Sequence, residues 1–324
     1  VGAGAAGAVL ARRLSDSGQR SVALIEAGPD PVTIPADIRD GTRNSMKEHD
    51  WGFTHRPRPR QSTMMYPRGR IVGGSSAVNT CIALRGERMN AARCYLDVEV
   101  RARACLKIFS DSHVRRVLFE GHRAIGVEVE HEGEVRCHYA DEVVLSAGAI
   151  GTPGILIRSG VGPKAQLQRL GVSLVMDAPV GARLLDHPGV AMFMLAKPGV
   201  VRVTDPLIQT ALRYTPRNSS YPPMRELATF AMPSERMFSS RKALREWIPR
   251  QTGSGYHPCG TVKMGEANDP MTVTDERGRV RGVEGLYVAD ASLFPTVPSS
   301  NTHFPTLMLG ERFADFFAGG LTSF

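Results

Sequence analysis

The chain opens on Val1-Gly2-Ala3-Gly4-Ala5-Ala6-Gly7, a G-x-G-x-x-G loop, and the segments after it narrow the fold sharply. Ala8-Val9-Leu10-Ala11-Arg12-Arg13-Leu14 reads as helix, and Val22-Ala23-Leu24-Ile25 reads as a strand ending at Glu26. Loop, helix, strand and acid in that order make the dinucleotide-binding unit of a parallel α/β sheet. Gly2 permits the tight turn, Gly4 lets backbone amides approach a pyrophosphate, and Gly7 lets the helix pack against its strand. The helix N-terminus offers free N–H groups and the positive end of its dipole to phosphate. Glu26 stands 19 residues beyond Gly7, the spacing at which a carboxylate accepts hydrogen bonds from a ribose. No strand precedes the loop within the chain, so the sheet is predicted to lack its central strand, with neighbouring edges unpaired.

A chain of 324 residues, 42% of them hydrophobic, is predicted to form two domains with real cores. Thirty-three glycines and 22 prolines suit a loop-rich α/β protein. No apolar stretch approaches transmembrane length and no signal peptide is visible. The five cysteines form no C-x-x-C pair and have no companion histidines at zinc spacing, so no metal site is predicted. Reduced thiols in a cytoplasmic protein are the expectation. Net charge is +8, but the basic residues are scattered. The densest run, Arg56-Pro57-Arg58-Pro59-Arg60, is broken by prolines, which argues against nucleic-acid binding.

Residues 31–70 read as a long polar connection, and residues 71–88 hold a Gly/Ser-rich turn. From Arg101 to Val144 the pattern is β: Lys107-Ile108-Phe109, Val114 to Phe119, Ala124 to Glu130 and Val135 to Tyr139 alternate around Glu120-Gly121 and Glu132-Gly133. This predicts a meander inserted between the halves of a doubly wound sheet. Val143-Val144-Leu145 is a buried strand running into a small-residue turn. Thr152-Pro153 is predicted to cap a short helix from Gly154 to Arg158. Gly285 to Asp290 is a further strand ending in an acid, where α/β folds place ligand groups. Thr306 to Phe317 is an amphipathic helix whose start, Thr302-His303-Phe304-Pro305, places Pro305 in the first turn. Residues 190–250 are the least legible stretch and are predicted to be the least ordered.

Four segments carry the chemistry. They are Pro67-Arg68-Gly69-Arg70-Ile71-Val72-Gly73-Gly74-Ser75-Ser76-Ala77-Val78-Asn79; Gly148 through Pro163, with Gly151-Thr152-Pro153-Gly154 at its centre; Tyr256-His257-Pro258-Cys259-Gly260-Thr261-Val262-Lys263-Met264-Gly265; and Asp290-Ala291-Ser292 through Pro298-Ser299-Ser300-Asn301-Thr302-His303-Phe304-Pro305-Thr306. With the opening loop and Leu185-Asp186-His187-Pro188, they resemble the glucose–methanol–choline (GMC) family of flavin oxidoreductases, nearest its choline dehydrogenase and alcohol dehydrogenase members. The first two segments look like that family's two signature patterns.

The resemblance implies a Rossmann-type FAD-binding domain from residues 1–88, 105–165 and 283–324, with an antiparallel-sheet substrate domain, reduced in size, over 166–282. It implies FAD with its adenosine on Gly2, Gly4, Gly7 and Glu26. It places the isoalloxazine near Gly73, Gly74, Ser75 and Asn79, with Val114, Ala147, Asp290 and Ala291 lining the rest. Glycines in the 73–76 turn agree, since they offer bare N–H groups for close approach. The resemblance also implies His257 as the catalytic base and Asn301 as its partner on the substrate oxygen. Oxidising an alcohol by hydride transfer requires the hydroxyl proton to leave, and a neutral imidazole suits that task near pH 7. The His/Asn pair resembles the choline-oxidising branch, and His303 falls two positions beyond, flavin-adjacent. The implied reaction takes the CH–OH group of an alcohol to an aldehyde or ketone, with electrons passing on to oxygen, quinone or another carrier. A helix N-terminus at 302–305 would set partial positive charge beside the reduced flavin.

Members of the family are longer than this chain. The shortfall is predicted between Arg88 and Asn90 and between Asp205 and Trp247, in parts that cover the flavin and wall the substrate cavity. Two alternatives follow: a truncated, catalytically impaired remnant, and a hydroxynitrile-lyase-like activity on the same scaffold. An ordinary NAD-dependent Rossmann dehydrogenase is disfavoured by the second signature segment and the C-terminal His/Asn motif.

Overall fold

The computed structural model describes residues 1–31, 33–40, 48–56, 63–79, 88–200 and 228–319. Helix α1 (Ala5–Ser15) leaves the glycine loop directly and buries Ala6 through Ala11. After it, β1 (Val22–Ile25) pairs in parallel with β2 (Leu106–Phe109), Val22 opposite Leu106. This pairing corrects the assignment of Lys107–Phe109 to the meander. Leu106 is buried with Leu24, Ala8 and Ala11 in one cluster, a burial available only beside β1. The meander proper is three antiparallel strands, β3 (Ser112–Glu120), β4 (Arg123–His131) and β5 (Glu134–Tyr139).

Strand β6 (Val143–Leu145) pairs in parallel with β7 (Leu286–Val288). Val1 and Gly2 lie between this pair and the β1–β2 pair. Gly2 N–H donates to the Ile25 carbonyl at 2.7 Å, Ser146 N–H to the Val1 carbonyl at 2.7 Å, and the Val1 nitrogen to the Val144 carbonyl at 2.8 Å. The sheet thus runs β2, β1, Val1–Gly2, β6, β7. The expectation of unpaired central edges is corrected in part: these two residues pair the end of β1 with the end of β6 through three hydrogen bonds.

Helix α2 (Gly148–Arg158) begins six residues before the predicted Gly154 start and holds Pro153 inside it. Proline supplies no N–H to the carbonyl one turn back. The Ala149 carbonyl accepts instead from the Thr261 hydroxyl at 2.7 Å, so the helix continues through the proline. Helix α3 (His303–Ala318) lies on α1, with Arg13 paired to Glu311 and Asp315, each at 3.1 Å. Leu145, Leu156, Leu286 and Leu293 are wholly buried in the main core. Burial of each such side chain is worth about 1.5–3 kcal/mol.

Residues 188–254 are built differently. Pro188–Gly189 pairs with Gly253–Ser254, and Phe193–Ala196 with Ala228–Met232, both antiparallel. Helices Glu235–Phe238 and Arg241–Gln251 bury no residue. Phe193 and Leu195 are 55% and 67% exposed. Much of the 190–250 stretch that the sequence leaves least legible, residues 201–227, lies outside the described residues, as do residues 80–87.

Candidate active site

The glycine loop is shaped by close approach. A Cβ on Gly7 would lie 1.8 Å from the Gly2 carbonyl oxygen, and one on Gly74, at φ +55°, 2.8 Å from the Gly4 Cα. Gly73 N–H donates to the Ala3 carbonyl at 2.8 Å, which ties the 73–76 turn to the loop. Gly4 and Gly148 are the reverse case: a Cβ on either meets nothing within 4 Å. Gly4 is the N-cap of α1 and no side chain caps that helix, so its leading N–H groups face this space uncapped.

Two buried carboxylates brace the cradle. Glu26, 6% exposed, accepts from Ala3 N–H at 2.8 Å on one oxygen and from Gly28 N–H at 2.9 Å on the other. Asp290, 2% exposed, accepts from Gly148 N–H at 2.9 Å, the Thr152 hydroxyl at 2.5 Å and Ser292 N–H at 2.7 Å. Burial raises both acids above the usual carboxylate range, and the backbone N–H bonds oppose that rise. Ser75 accepts from Gly69 N–H at 3.1 Å, and Ala147 N–H donates to Thr152 at 3.1 Å. Asn79 N–H closes the short helix Ser75–Val78 on the Ser75 carbonyl at 3.0 Å. Val114 is 4% exposed, with its side chain committed to the core.

His257 sits on a loop held from both sides. Leu185 and Cys259 exchange two backbone hydrogen bonds at 2.9 Å. On the other flank, Gly260, Val262 and Met264 donate to the carbonyls of Ala291, Ser292 and Leu293 at 3.0, 2.9 and 2.9 Å. This ladder joins the His257 loop to the turn that follows Asp290. Asp186 accepts from His257 N–H at 2.8 Å, from Tyr66 OH at 3.0 Å and from the Ser254 hydroxyl. Tyr256, the preceding residue, has φ +62°, a conformation that non-glycine residues hold only when their surroundings impose it. Arg68 stacks on the Tyr66 ring at 4.8 Å and donates to the Tyr256 carbonyl at 2.6 Å.

The His257 imidazole meets His187: the two Nδ1 atoms are 2.9 Å apart, and His187 Nε2 lies 2.7 Å from the Pro298 carbonyl. His257 has its pKa lowered, first by burial and then by His187, with an opposite pull from Asp186 and a smaller lowering by Arg68. Burial pushes the Cys259 thiol up to about 11, so this neighbour is no nucleophile. Asn301 is exposed, and among the described residues no hydrogen bond joins it to His257. His303 begins α3, half-buried, with its pKa lowered by burial. Sequence reasoning singled out Leu185-Asp186-His187-Pro188 as a motif but gave Asp186 and His187 no task. An acid and a histidine adjacent in a loop, with no helical or strand periodicity to explain them, were the available signal.

Among the described residues no group of three or more His, Cys, Asp or Glu is placed to hold a metal ion. Within the same residues, no helix is long and apolar enough to cross a membrane.

Glycine loop, parallel sheet and braced cradle define a Rossmann-type dinucleotide-binding fold. Comparison with known proteins carries this to a family. The N- and C-terminal models of GMC oxidoreductase match residues 81–189 and 185–310, and an NAD(P)-binding Rossmann-like domain model matches residues 1–63. The chain belongs to the GMC oxidoreductase family. It is 26% identical to the 5-(hydroxymethyl)furfural oxidase of Methylovorus sp. strain MP688, over 97% of this chain and 97% of the relative. It is 24% identical to an oxygen-dependent choline dehydrogenase of Rhizobium etli, over 98% and 95%. Among solved structures, pyridoxine 4-oxidase from Mesorbium loti superposes with a TM-score of 0.78 at 21% identity, covering 98% of each chain. An FAD-dependent oxidoreductase from Chaetomium thermophilum gives 0.83 at 17%, again covering 98% of each. The alignment to the furfural oxidase runs over 522 positions, so at least 198 of them carry no residue of this 324-residue chain.

Proposed function

We propose that this chain binds FAD and oxidises the CH–OH group of a small-molecule alcohol to an aldehyde or ketone, with His257 as base. The residues present fit the cofactor. Gly4 and Gly148 leave the space a pyrophosphate needs, and the uncapped α1 N-terminus faces it. The oxygens of Glu26 keep lone pairs for a ribose after accepting from Ala3 and Gly28. Gly73, Gly74, Ser75 and Asn79 on one side, and Ala147, Asp290 and Ala291 on the other, would hold the flavin end. When bound, FAD supplies the hydride acceptor.

The observation that carries the reading is the ladder between residues 260–264 and 291–293, which ties the His257 loop to the Asp290 turn. His257 takes the hydroxyl proton, and its lowered pKa keeps it neutral for that task near pH 7. Asn301 donates its amide N–H to the substrate oxygen as negative charge grows there. The N-terminus of α3, with no side-chain cap, adds partial positive charge to the same end of the site.

The furfural oxidase and choline dehydrogenase relatives act, by their names, on alcohol-bearing molecules. A second reading, a flavin-binding chain with impaired turnover, is favoured by the unmatched alignment positions and by the exposed strand 193–196 and the helices at 235–251 that bury nothing. Water reaching the site would weaken each electrostatic contact in it. Flavin stoichiometry of the purified chain, then stopped-flow reduction of bound FAD by a panel of primary alcohols including choline, decides between them. Reduction that is lost in His257→Ala supports the enzyme. Bound flavin that no alcohol reduces supports the impaired chain, and tight NAD binding without flavin uptake overturns both.

A further inference from the structure

The contact between His257 and His187 contains more than proximity. Two neutral imidazoles that meet through a single nitrogen each must divide one proton between them: one nitrogen donates and the other accepts. Which does so is decided at the far end of His187. Its Nε2 lies 2.7 Å from the Pro298 carbonyl, and a carbonyl oxygen only accepts. His187 Nε2 therefore carries hydrogen, and the Nδ1 of neutral His187 is a bare lone pair. At 2.9 Å that lone pair requires a donor, so His257 carries its proton on Nδ1. Neutral His257 then presents a bare Nε2, the form able to take a proton from substrate.

From this chain of bonds we infer that His187 is a positioning residue that fixes the tautomer and orientation of His257. The inference rests on the reading of His257 as base and deepens it. The surrounding backbone is built for the pair. Gly255 N–H donates to the His187 carbonyl at 2.7 Å, and a Cβ on Gly255 would lie 2.8 Å from the His187 Cβ. The two rings stand nearly perpendicular, at 87° with centroids 5.0 Å apart, so the Nδ1 atoms meet edge to edge. The charged and titratable groups around them are Asp186 and Tyr66, joined by a hydrogen bond, and Arg68 stacked on Tyr66. Asp186 holds the His257 backbone N–H and leaves the ring nitrogens to His187.

The arrangement has a further consequence. A proton added to His187 turns its Nδ1 into a donor, which forces His257 to accept there and to carry hydrogen on Nε2. One proton added to the pair thus removes the base, whichever ring it enters. Pro298 lies three residues before Asn301, so the same bonds tie the base to the segment bearing its proposed partner.

The test reads the tautomer directly in the full chain. With 15N-histidine labelling, long-range 1H–15N spectra recorded well above pH 6.5 report which ring nitrogen of each histidine carries hydrogen. Signals are assigned with His257→Gln and His187→Asn. The expected result is hydrogen on Nδ1 of His257 and Nε2 of His187. His187→Leu removes the acceptor and should move His257 toward the Nε2–H form, with flavin reduction slowed roughly ten- to a hundredfold and flavin content unchanged; misassigned tautomers cost up to ~10⁴-fold in the better-known serine protease case. His187→Asn keeps an acceptor oxygen near the Nδ1 position and should recover most of that loss. A parent spectrum with His257 protonated on Nε2 overturns the inference without any variant. Equal loss in the Leu and Asn variants with an unchanged tautomer overturns it as well. Correct tautomers in a flavin-loaded parent that no alcohol reduces would sink the proposed function and leave the histidine pair standing.

Discussion

The parallel sheet and the 188–254 region belong to one chain but are held together by different means. In the sheet, residues far apart in sequence meet through backbone pairs and wholly buried leucines, as Leu145 and Leu286 do. In the other region, two short antiparallel ladders also join segments distant in sequence, but among the described residues its two helices bury nothing and Phe193 and Leu195 face solvent. The dinucleotide cradle and the 188–254 ladders thus rest on separate sets of contacts. The cradle depends on glycine contacts and two braced acids, none of which touches the exposed ladders. His257 stands at the border, its loop anchored to the sheet side by the 291–293 ladder and to the other side by Asp186 and His187.

The largest effect that would break this comparison is catalytic. His257→Ala is expected to slow alcohol-driven flavin reduction by ~10²–10⁴-fold while bound flavin, held by the cradle, stays constant. Loss of flavin in that variant, read from the visible spectrum, would mean that the two parts are not separable. Next is stability. Leu145→Ala should cost about 2–5 kcal/mol in denaturant unfolding, whereas Leu195→Ala should change it by less than about 0.5 kcal/mol. Similar costs would show that the exposed ladder is covered in solution.

Glycine substitutions sharpen the picture inside the cradle. Gly4→Ala should leave the unfolding midpoint nearly unchanged, because its Cβ meets no protein atom, yet weaken FAD binding at least about tenfold by filling the phosphate space. Gly7→Ala should lower the midpoint itself, since its Cβ would strike the Gly2 carbonyl. Titration calorimetry beside unfolding curves separates the two. The smallest effect concerns pH. Because burial lowers the pKa of His257 below its ordinary 6.5, the neutral base persists to lower pH. Flavin reduction should fall only below pH 6.5 as that imidazole gains its proton. An acid limb centred above 6.5 would contradict the burial seen here.

Local patterns were legible in the sequence and remote partnerships were not. Val22–Ile25 emerges as a strand from its apolar run, and α3 from its period and Pro305. Alternation marks Lys107–Phe109 as a strand but does not name its partner, which lies in parallel in β1, far back along the chain. The start of α2 is hidden in the sequence because Pro153 is an ordinary helix stop until a distant Thr261 takes up the freed carbonyl. In the candidate site, His257 is identified by its motif. The work of Asp186 and His187 is visible only once Tyr66, Ser254 and Pro298 are brought beside them. No spacing rule encodes such a meeting.

The placement of Val1 and Gly2 between β1 and β6 also orders events in time. The glycine loop is completed by Ser146 and by the turn after β7, while α1, besides packing on β1 and residues 91–106, is covered by residues 303–318. Contacts of such long sequence separation close slowly, since the entropy of the intervening loop is lost before the contact rewards it. The phosphate cradle therefore stays open until β7, the turn after it and α3 have come together with the glycine loop. A ligand that binds only the assembled cradle stabilises that assembly, so added FAD is expected to favour the docking of α3 on α1.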